Sequence, residues 1–542
     1  MSIIFFHSLL FIFVIYSNGL FFSKKILLIK DYRNFYEISI IGLITTIFLA
    51  QFLNFFIPLN DYVILSNVIV LIVLIILNHN IFKKNFKINF NILIFSLLIM
   101  FVNIYGSDFS DDLDHYHYGF ISNADNLNFI WGQSFLHPLY GTSPSWLIGH
   151  SFFNFDQFRL QDIHILNGIV LFLVIGLFLT ELDLKQNKRL FNNPILFSIL
   201  LFLLLKYTRL KEFGIDRPSI LIFCFLIYYY LKYFLISDKR YILENFIIIF
   251  LISIFIFSIK IIYIPVLFFS LIIFIRNKSK LNKFHTMYLI LLFPILIFIF
   301  KNLLGTGCLF FPFEGSCIKS IPWSNFIGAK DLSISAEIFN KSWTSYTGNL
   351  SENEYIKDFN WFNTWFERGS TELLELLLTA LIVLGISFIV FFSNFSDKKL
   401  INNNFKNFKL ILSLIILASF SVYIAKNPVI RMNHHIIISL MILTIIYFFN
   451  FDFNIFKKKL VYLFLFIGLV FNLHKNYDRI LKNHFINNPK ELISHKISVP
   501  KKNILNNFTY YEGWFGESPI GNQNLDDKAH KRIWIFDILL KL

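Results

Sequence analysis

Ser107–Phe158 reads SDFSDDLDHYHYGFISNADNLNFIWGQSFLHPLYGTSPSWLIGHSFFNFDQF. Asp108, Asp111, Asp112 and Asp114 crowd its start, with His115, Tyr116 and His117 interleaved. His137, Trp146 and His150 follow, and the stretch holds no Lys or Arg. It is a polar island between apolar runs of about 17–25 residues, the length that crosses a bilayer as helix. Those flanks decide the fold. Backbone groups in lipid must pair within their own segment, which excludes open strands, and the alternation of a membrane barrel is absent. The expectation is an all-α integral membrane protein of about 14 transmembrane helices with long outer loops, the island being one of them.

Composition points the same way. Hydrophobic residues make up 56% of the chain and charged residues 15%, and Phe alone occurs 71 times. The formal charge is +15. In a soluble protein that balance would hint at nucleic acid, but here the cations fall mostly in short loops between apolar runs, and no nucleic-acid motif occurs. No P-loop and no dinucleotide fingerprint is present, so a machine driven by cytoplasmic ATP is not expected. The first apolar run, Ile3–Phe22, lacks a basic leader and a small-residue cleavage site, which predicts a retained helix.

Basic loops mark the cytoplasmic side. They include Lys24–Arg33, Lys83–Lys87, Lys185–Arg189, Lys239–Arg240, Arg276–Lys283, Lys398–Lys406 and Lys457–Lys459. Two helices and one outer turn fit between neighbouring basic loops. This divides the chain into N-terminal helices over 1–106, a first large outer loop over 107–160, central helices over 161–303, a second outer loop over 304–370, C-terminal helices over 371–474 and an outer tail over 475–542. One loop breaks the pattern. Lys206, Arg209, Lys211 and Arg217 fall on the outer side although they are basic. Either helix 194–206 is re-entrant, or these cations are kept outside for a purpose such as holding phosphate.

Asp112-Leu113-Asp114 is a DXD pattern. Paired carboxylates can hold a divalent cation such as Mg or Mn, or one of them can act as general base on a hydroxyl. Placed a few residues beyond an apolar helix, in a large outer loop, it resembles the acidic motif of the GT-C class of membrane glycosyltransferases. The finer resemblance is to a group of bacterial multi-pass membrane proteins with an Asp-x-x-x-Tyr-His motif in this loop, which Asp112 to His117 matches. They also carry a Leu-His…Phe-Gly-x-x-Ser-Trp stretch, and Leu136 to Trp146 is similar, with Tyr140 in place of Phe. The specific match covers about 40 residues, and the remainder is a match of architecture.

The resemblance implies a GT-C-like bundle in the bacterial inner (cytoplasmic) membrane with its active site facing the periplasm. Its donor would be a polyprenyl-phosphate-linked sugar and its acceptor an envelope glycan or lipid. Such an enzyme must deprotonate an acceptor hydroxyl and neutralise the departing phosphate. Asp112 is the expected base, and Asp114 would share a metal or orient the acceptor. His115 and His117 flank them for metal or phosphate. His137 lies in the matching stretch and joins the substrate-binding set. Tyr116 and Trp146 offer aromatic faces for a sugar, or anchor the chain at the interface. Lys260, Arg431 and Arg217 are expected phosphate contacts; snorkelling of Lys260 and plain helix-start chemistry at Asp216-Arg217-Pro218 are the alternatives. Leu309–Trp323, rich in Phe and Pro, is similar to a substrate-lining loop of the related proteins.

Cys308 and Cys317 predict a disulfide if their side is periplasmic, and Cys224 a buried thiol. Two other functions compete. A glycan polymerase or O-antigen ligase would lean on Arg and His in its outer loops. A lipid-linked sugar flippase or transporter would place charges within several helices and show an internal repeat. The acid cluster favours the transferase.

Overall fold

The computed structural model describes residues 2–27, 34–77, 79, 82, 89–106, 112, 116–153, 165–182, 193–210, 214–235, 242–281, 285–342, 348–391, 403–448, 458–482, 501–505, 508–512, 520–521, 528–533 and 536–541. Asp108, Asp111, Asp114, His115 and Lys211 lie outside these residues.

The body is helical, as the apolar runs require. Among the described residues, fourteen helices fall where those runs predict helix, from Ser2–Phe21 to Lys458–Lys482. Four shorter or more polar ones, Tyr118–Asn126, Ser145–Phe152, Phe326–Ser342 and Glu352–Tyr355, lie in the two loop regions. Among the described residues, five helices are long and apolar enough to cross a membrane: Ile4–Ile26, Phe35–Asn54, Phe362–Phe391, Lys406–Lys426 and Lys459–Leu481. The chain is a membrane-associated, predominantly α-helical protein. Ile165–Glu181, Asn193–Lys206 and Asp216–Leu235 form its centre, with side chains buried on nearly every face. Asp61–Leu77, Phe362–Phe391 and Lys458–Lys482 lie at the periphery and leave Leu, Ile and Phe exposed.

Little hydrophobic force joins helices in an apolar solvent, so close approach and polar contacts do. A Cβ on Gly42 would lie 1.8 Å from the Ile15 carbonyl oxygen, so Ser2–Phe21 and Phe35–Asn54 pack backbone against backbone. Asn103 donates to Asn472 Oδ1 at 3.0 Å, and Asn472 donates to the Leu204 and Tyr207 carbonyls at 3.1 and 3.2 Å. This clamp joins Phe90–Tyr105, Asn193–Lys206 and Lys458–Lys482.

Two features depart from the sequence expectation. The helix expected from residue 371 begins at Phe362. Its polar first turns are held by tertiary contacts, with Trp365 Nε1 donating to the Pro428 carbonyl at 2.6 Å. The tail also contains strands, where none were anticipated. Lys501–Leu505, Phe508–Glu512 and Ile520–Gly521 form one small sheet, and Lys528–Ile533 pairs antiparallel with Phe536–Lys541. The second pair docks on the island. Trp131 N–H donates to the Asp537 carbonyl at 3.0 Å and Leu539 N–H to the Trp131 carbonyl at 2.9 Å.

Candidate functional site

The island ends helix Phe90–Tyr105 at Gly106 and re-enters the described chain at Asp112 and at Tyr116–His117. Tyr116 and His117 are buried, at 9% and 1% exposure. Their rings meet edge to face at 4.3 Å, and Tyr116 stacks on His137 at 6.2 Å. His137 is fixed in turn, its Nδ1 accepting from Leu139 N–H at 3.1 Å. Burial pushes the Tyr116 hydroxyl well above its ordinary value, and the negative charges of Asp112 and Asp216 add to this. Burial lowers the His117 imidazole to about 4, with Lys260 acting in the same direction and Asp112 and Asp216 opposing. His117 is therefore neutral at pH 7. Neither of its ring nitrogens has a hydrogen-bond partner among the described residues.

Asp216 is the hub that sequence reasoning missed. It opens helix Asp216–Leu235, forms an ion pair with Lys260, and lies 3.4 Å from Arg431 Nε. Lys260 reaches it because helix Ile242–Ile259 stops one residue earlier and Lys260 takes an extended backbone before the turn Ile261–Tyr263. The Tyr263 hydroxyl closes the junction. It donates to the Met432 carbonyl at 3.0 Å and accepts from Ser219 at 3.1 Å, tying three elements around the carboxylate. Asn433 holds the turn that carries Arg431, donating to the Asn427 and Val429 carbonyls at 3.0 and 2.9 Å.

Beside this hub lies more basic and aromatic surface. The Arg217 guanidinium sits over the Tyr207 ring at 4.9 Å. His434 and His435, at the start of helix His434–Phe448, are fully buried with all four ring nitrogens unpartnered among the described residues, as is Arg217 Nη1. Lys206 pairs with the exposed Glu375 at 3.1 Å, and Glu372 lies within charge reach of Arg217, Lys206 and Arg431. Of the misfitting basic loop, Lys206 and Arg217 thus gather with Arg431 around Glu372, while Arg209 lies beside Arg479. Buried polar nitrogens are ordinarily paired, and a cluster of unpaired ones beside two arginines and a lysine has the chemistry of an anion site.

Asp112, Tyr116, His117, His137, Arg217, Lys260 and Arg431 therefore converge. Trp146 does not join them as a sugar platform. Its side chain is fully buried, and its Nε1 donates to Asn167 Oδ1 at 2.7 Å. Asn167 donates onward to the Gly214 carbonyl at 3.2 Å, so Trp146 buttresses the turn entering Asp216 from behind. Lys301 was also missed. It is buried in helix His285–Thr306, donates to the Ser143 carbonyl at 2.6 Å, and lies over the Phe298 ring at 5.0 Å. A single cation inside an apolar run was the signal that could have found it. Among the described residues, no three His, Cys, Asp or Glu side chains come together to hold a metal ion. Cys308 and Cys317 are disulfide-bonded and Cys224 is a buried free thiol. In the tail, residues 509–522 read TYYEGWFGESPIGN, and of these 513–519 and 522 lie outside the described residues.

No curated protein and no solved structure matches the chain. The model of a family described as a domain of unknown function, DUF8201, matches residues 1–438, which holds the whole constellation just described, and the chain belongs to that family.

Proposed function

We propose that this protein is a polytopic membrane glycosyltransferase of GT-C type. It moves a sugar from a polyprenyl-phosphate donor to an envelope glycan or lipid acceptor at the periplasmic face of the bacterial inner membrane, through a bundle of about 14 transmembrane helices. The observation that carries the reading is the convergence of an acidic loop with a basic pocket. Tyr116 lies within electrostatic reach of Asp112, Asp216 and Arg431, and His117 within reach of Asp112, Asp216 and Lys260.

The division of labour follows from charge. Transfer forms a bond from the acceptor oxygen to the anomeric carbon and breaks the bond from that carbon to the phosphate oxygen. The acceptor proton passes to Asp112, and negative charge grows on the departing phosphate. Lys260, Arg431 and Arg217 are placed to receive that charge, in a setting of low dielectric where a fixed cation is worth most. Asp216 is already engaged by Lys260 and Arg431, so it is a positioning group that aims the cations. Neutral His117 and the Tyr116 hydroxyl offer hydrogen bonds to the sugar or the acceptor.

The test is purified protein in vesicles with labelled polyprenyl-phosphate sugars and an envelope lipid extract as acceptor. Wild type should release polyprenyl phosphate and label the acceptor. Asp112→Asn keeps the shape and removes the proton acceptor, so it should lose about 10²–10⁴-fold in rate at normal abundance. Full activity in Asp112→Asn would remove that residue from the mechanism, and no turnover with any such donor would overturn the reading.

A further inference from the structure

We infer that Glu372 is the specificity-determining residue of the basic pocket, admitting a singly charged phosphodiester and disfavouring a diphosphate. The inference rests on the transferase reading, whose donor is such a diester, and adds which anions the pocket turns away. Helix Phe362–Phe391 presents a buried face that carries Trp365, Gly369 and Leu376, at helical spacing. That face is fixed at two heights. Trp365 Nε1 donates to the Pro428 carbonyl at 2.6 Å, just before the turn Ile430–Met432 that carries Arg431. Further along, Glu375 pairs with Lys206 at 3.1 Å. Glu372 falls between these contacts, two turns past Trp365 and one before Glu375, and so faces the Arg431 turn and the end of helix Asn193–Lys206. Arg217, Lys206 and Arg431 all lie within its charge reach.

Glu372 differs from the other acids here in being uncommitted. Asp216 engages Lys260 and Arg431, and Glu375 engages Lys206. Among the described residues, Glu372 forms no hydrogen bond or ion pair, and Arg217 forms no ion pair. The Arg217 guanidinium lies over the Tyr207 ring instead, with Nη1 unpartnered. A carboxylate and a guanidinium that sense each other without touching leave a gap, and a phosphate placed there meets both. Fully buried His434 lies within charge reach of Arg217 and Lys206 on the cationic side. Glu372 lowers the positive potential of this gap, and the penalty grows with every negative charge a ligand carries. A phosphodiester carries one such charge, whereas a diphosphate ester carries more. Its second phosphate would also lie near a carboxylate that has no proton to donate. Glu372 is only half-buried, so salt screens its field in part.

The experiment measures, by calorimetry at low salt, the binding of decyl methyl phosphate and of decyl diphosphate to the purified full chain in neutral detergent. Arg217→Gln removes the uncommitted cation and should weaken both ligands. Glu372→Gln keeps the shape and removes the charge, so the ratio of the two affinities should move about tenfold toward the diphosphate. Glu372→Asp keeps the charge and should hold the wild-type ratio. Glu352→Gln, which removes an exposed acid from the short helix Glu352–Tyr355, should hold it too. An unchanged ratio in Glu372→Gln, with both ligands still weakened by Arg217→Gln, would overturn the inference and leave the transferase reading standing. An equal shift in Glu372→Asp or Glu352→Gln would overturn it as well, because the charge at this position would then not set the ratio. Binding that Arg217→Gln leaves untouched, or no binding at all, would overturn the basic pocket and the inference with it.

Discussion

One helix, Asp216–Leu235, carries two carboxylate–lysine pairs, one at each end, about 24 Å apart. At its last turns Lys232 pairs with Glu37 at 3.1 Å, and the Tyr229 hydroxyl donates to the same Glu37 oxygen. Lys232 also lies over the Tyr228 and Tyr229 rings at 5.5 and 5.7 Å. Glu37 is 1% exposed. At its first turn Asp216 meets Lys260 and Arg431, but there the surroundings are unfinished. His117, His434, His435 and Arg217 bring unpartnered buried nitrogens, and the Arg431 side chain is 40% exposed. The Glu37 end is a closed lock, in which Glu37, Lys232 and the Tyr229 hydroxyl satisfy one another and a second acid, Glu181, lies within charge reach. The Asp216 end keeps buried side-chain nitrogens that find no partner among the described residues. An ion pair in an apolar bundle is therefore no sign of function by itself; the surplus around it is.

The sharpest way to break this comparison is to remove both pairs. Asp216→Asn with Lys260→Met should lower sugar transfer by about 10²–10³-fold, the usual cost of one lost charge-stabilising donor or more. Glu37→Leu with Lys232→Met should leave transfer near wild type, because a buried pair replaced by apolar groups of similar volume is often neutral for stability. Equal losses in the two double variants, measured at matched abundance, would erase the distinction.

Next in size is the unpaired lock. Glu37→Ala takes from Lys232 the acid it is paired with, which should destabilise the protein by about 3 kcal/mol, the lower end for a broken buried pair because Lys232 is 23% exposed and keeps Glu181 within charge reach. Thermal unfolding in detergent reads this as a lower Tm, and restoring Glu37→Ala with a second change, Lys232→Met, should recover most of it. A single variant as stable as wild type would show the Glu37 end to be no lock.

The smallest effect is acidic. His117 titrates near 4 in the fold, below its ordinary 6.5, because burial opposes its charge. A group whose folded pKa is depressed in this way contributes stability above pH 6.5 and loses it as pH falls toward 4, about 2 kcal/mol by pH 5. His117→Asn lacks that titration. The fall in Tm between pH 7 and pH 5 should therefore be smaller in the variant than in wild type, and parallel curves would place the acid sensitivity elsewhere.

How far the chain could be read follows from what each feature depends on. Helix positions were legible because an apolar run of a given length must pair its backbone internally, whatever surrounds it. Asp112, Tyr116, His117, Lys260 and Arg431 were legible as candidates because charged and polar groups beside apolar helices are costly and draw the eye. The Cys308–Cys317 bridge was legible because both cysteines fall, nine positions apart, in one loop expected on the oxidising side of the membrane. The extension of helix Phe362–Phe391 was not, since its polar turns depend on Trp365 meeting Pro428.

By itself, then, the sequence determined a helical, membrane-associated chain and a short roster of residues able to carry charge chemistry, since both follow from local composition and periodicity. Only the tertiary structure decided that Asp216 gathers Lys260 and Arg431, that Trp146 is a buried buttress, and that strands of the tail hydrogen-bond to Trp131. Each of these joins residues far apart in the chain, Asp216 and Lys260 being 44 residues apart. No periodicity of 3.6 or 2 residues encodes which distant side chain fills a given space; packing of the bundle does.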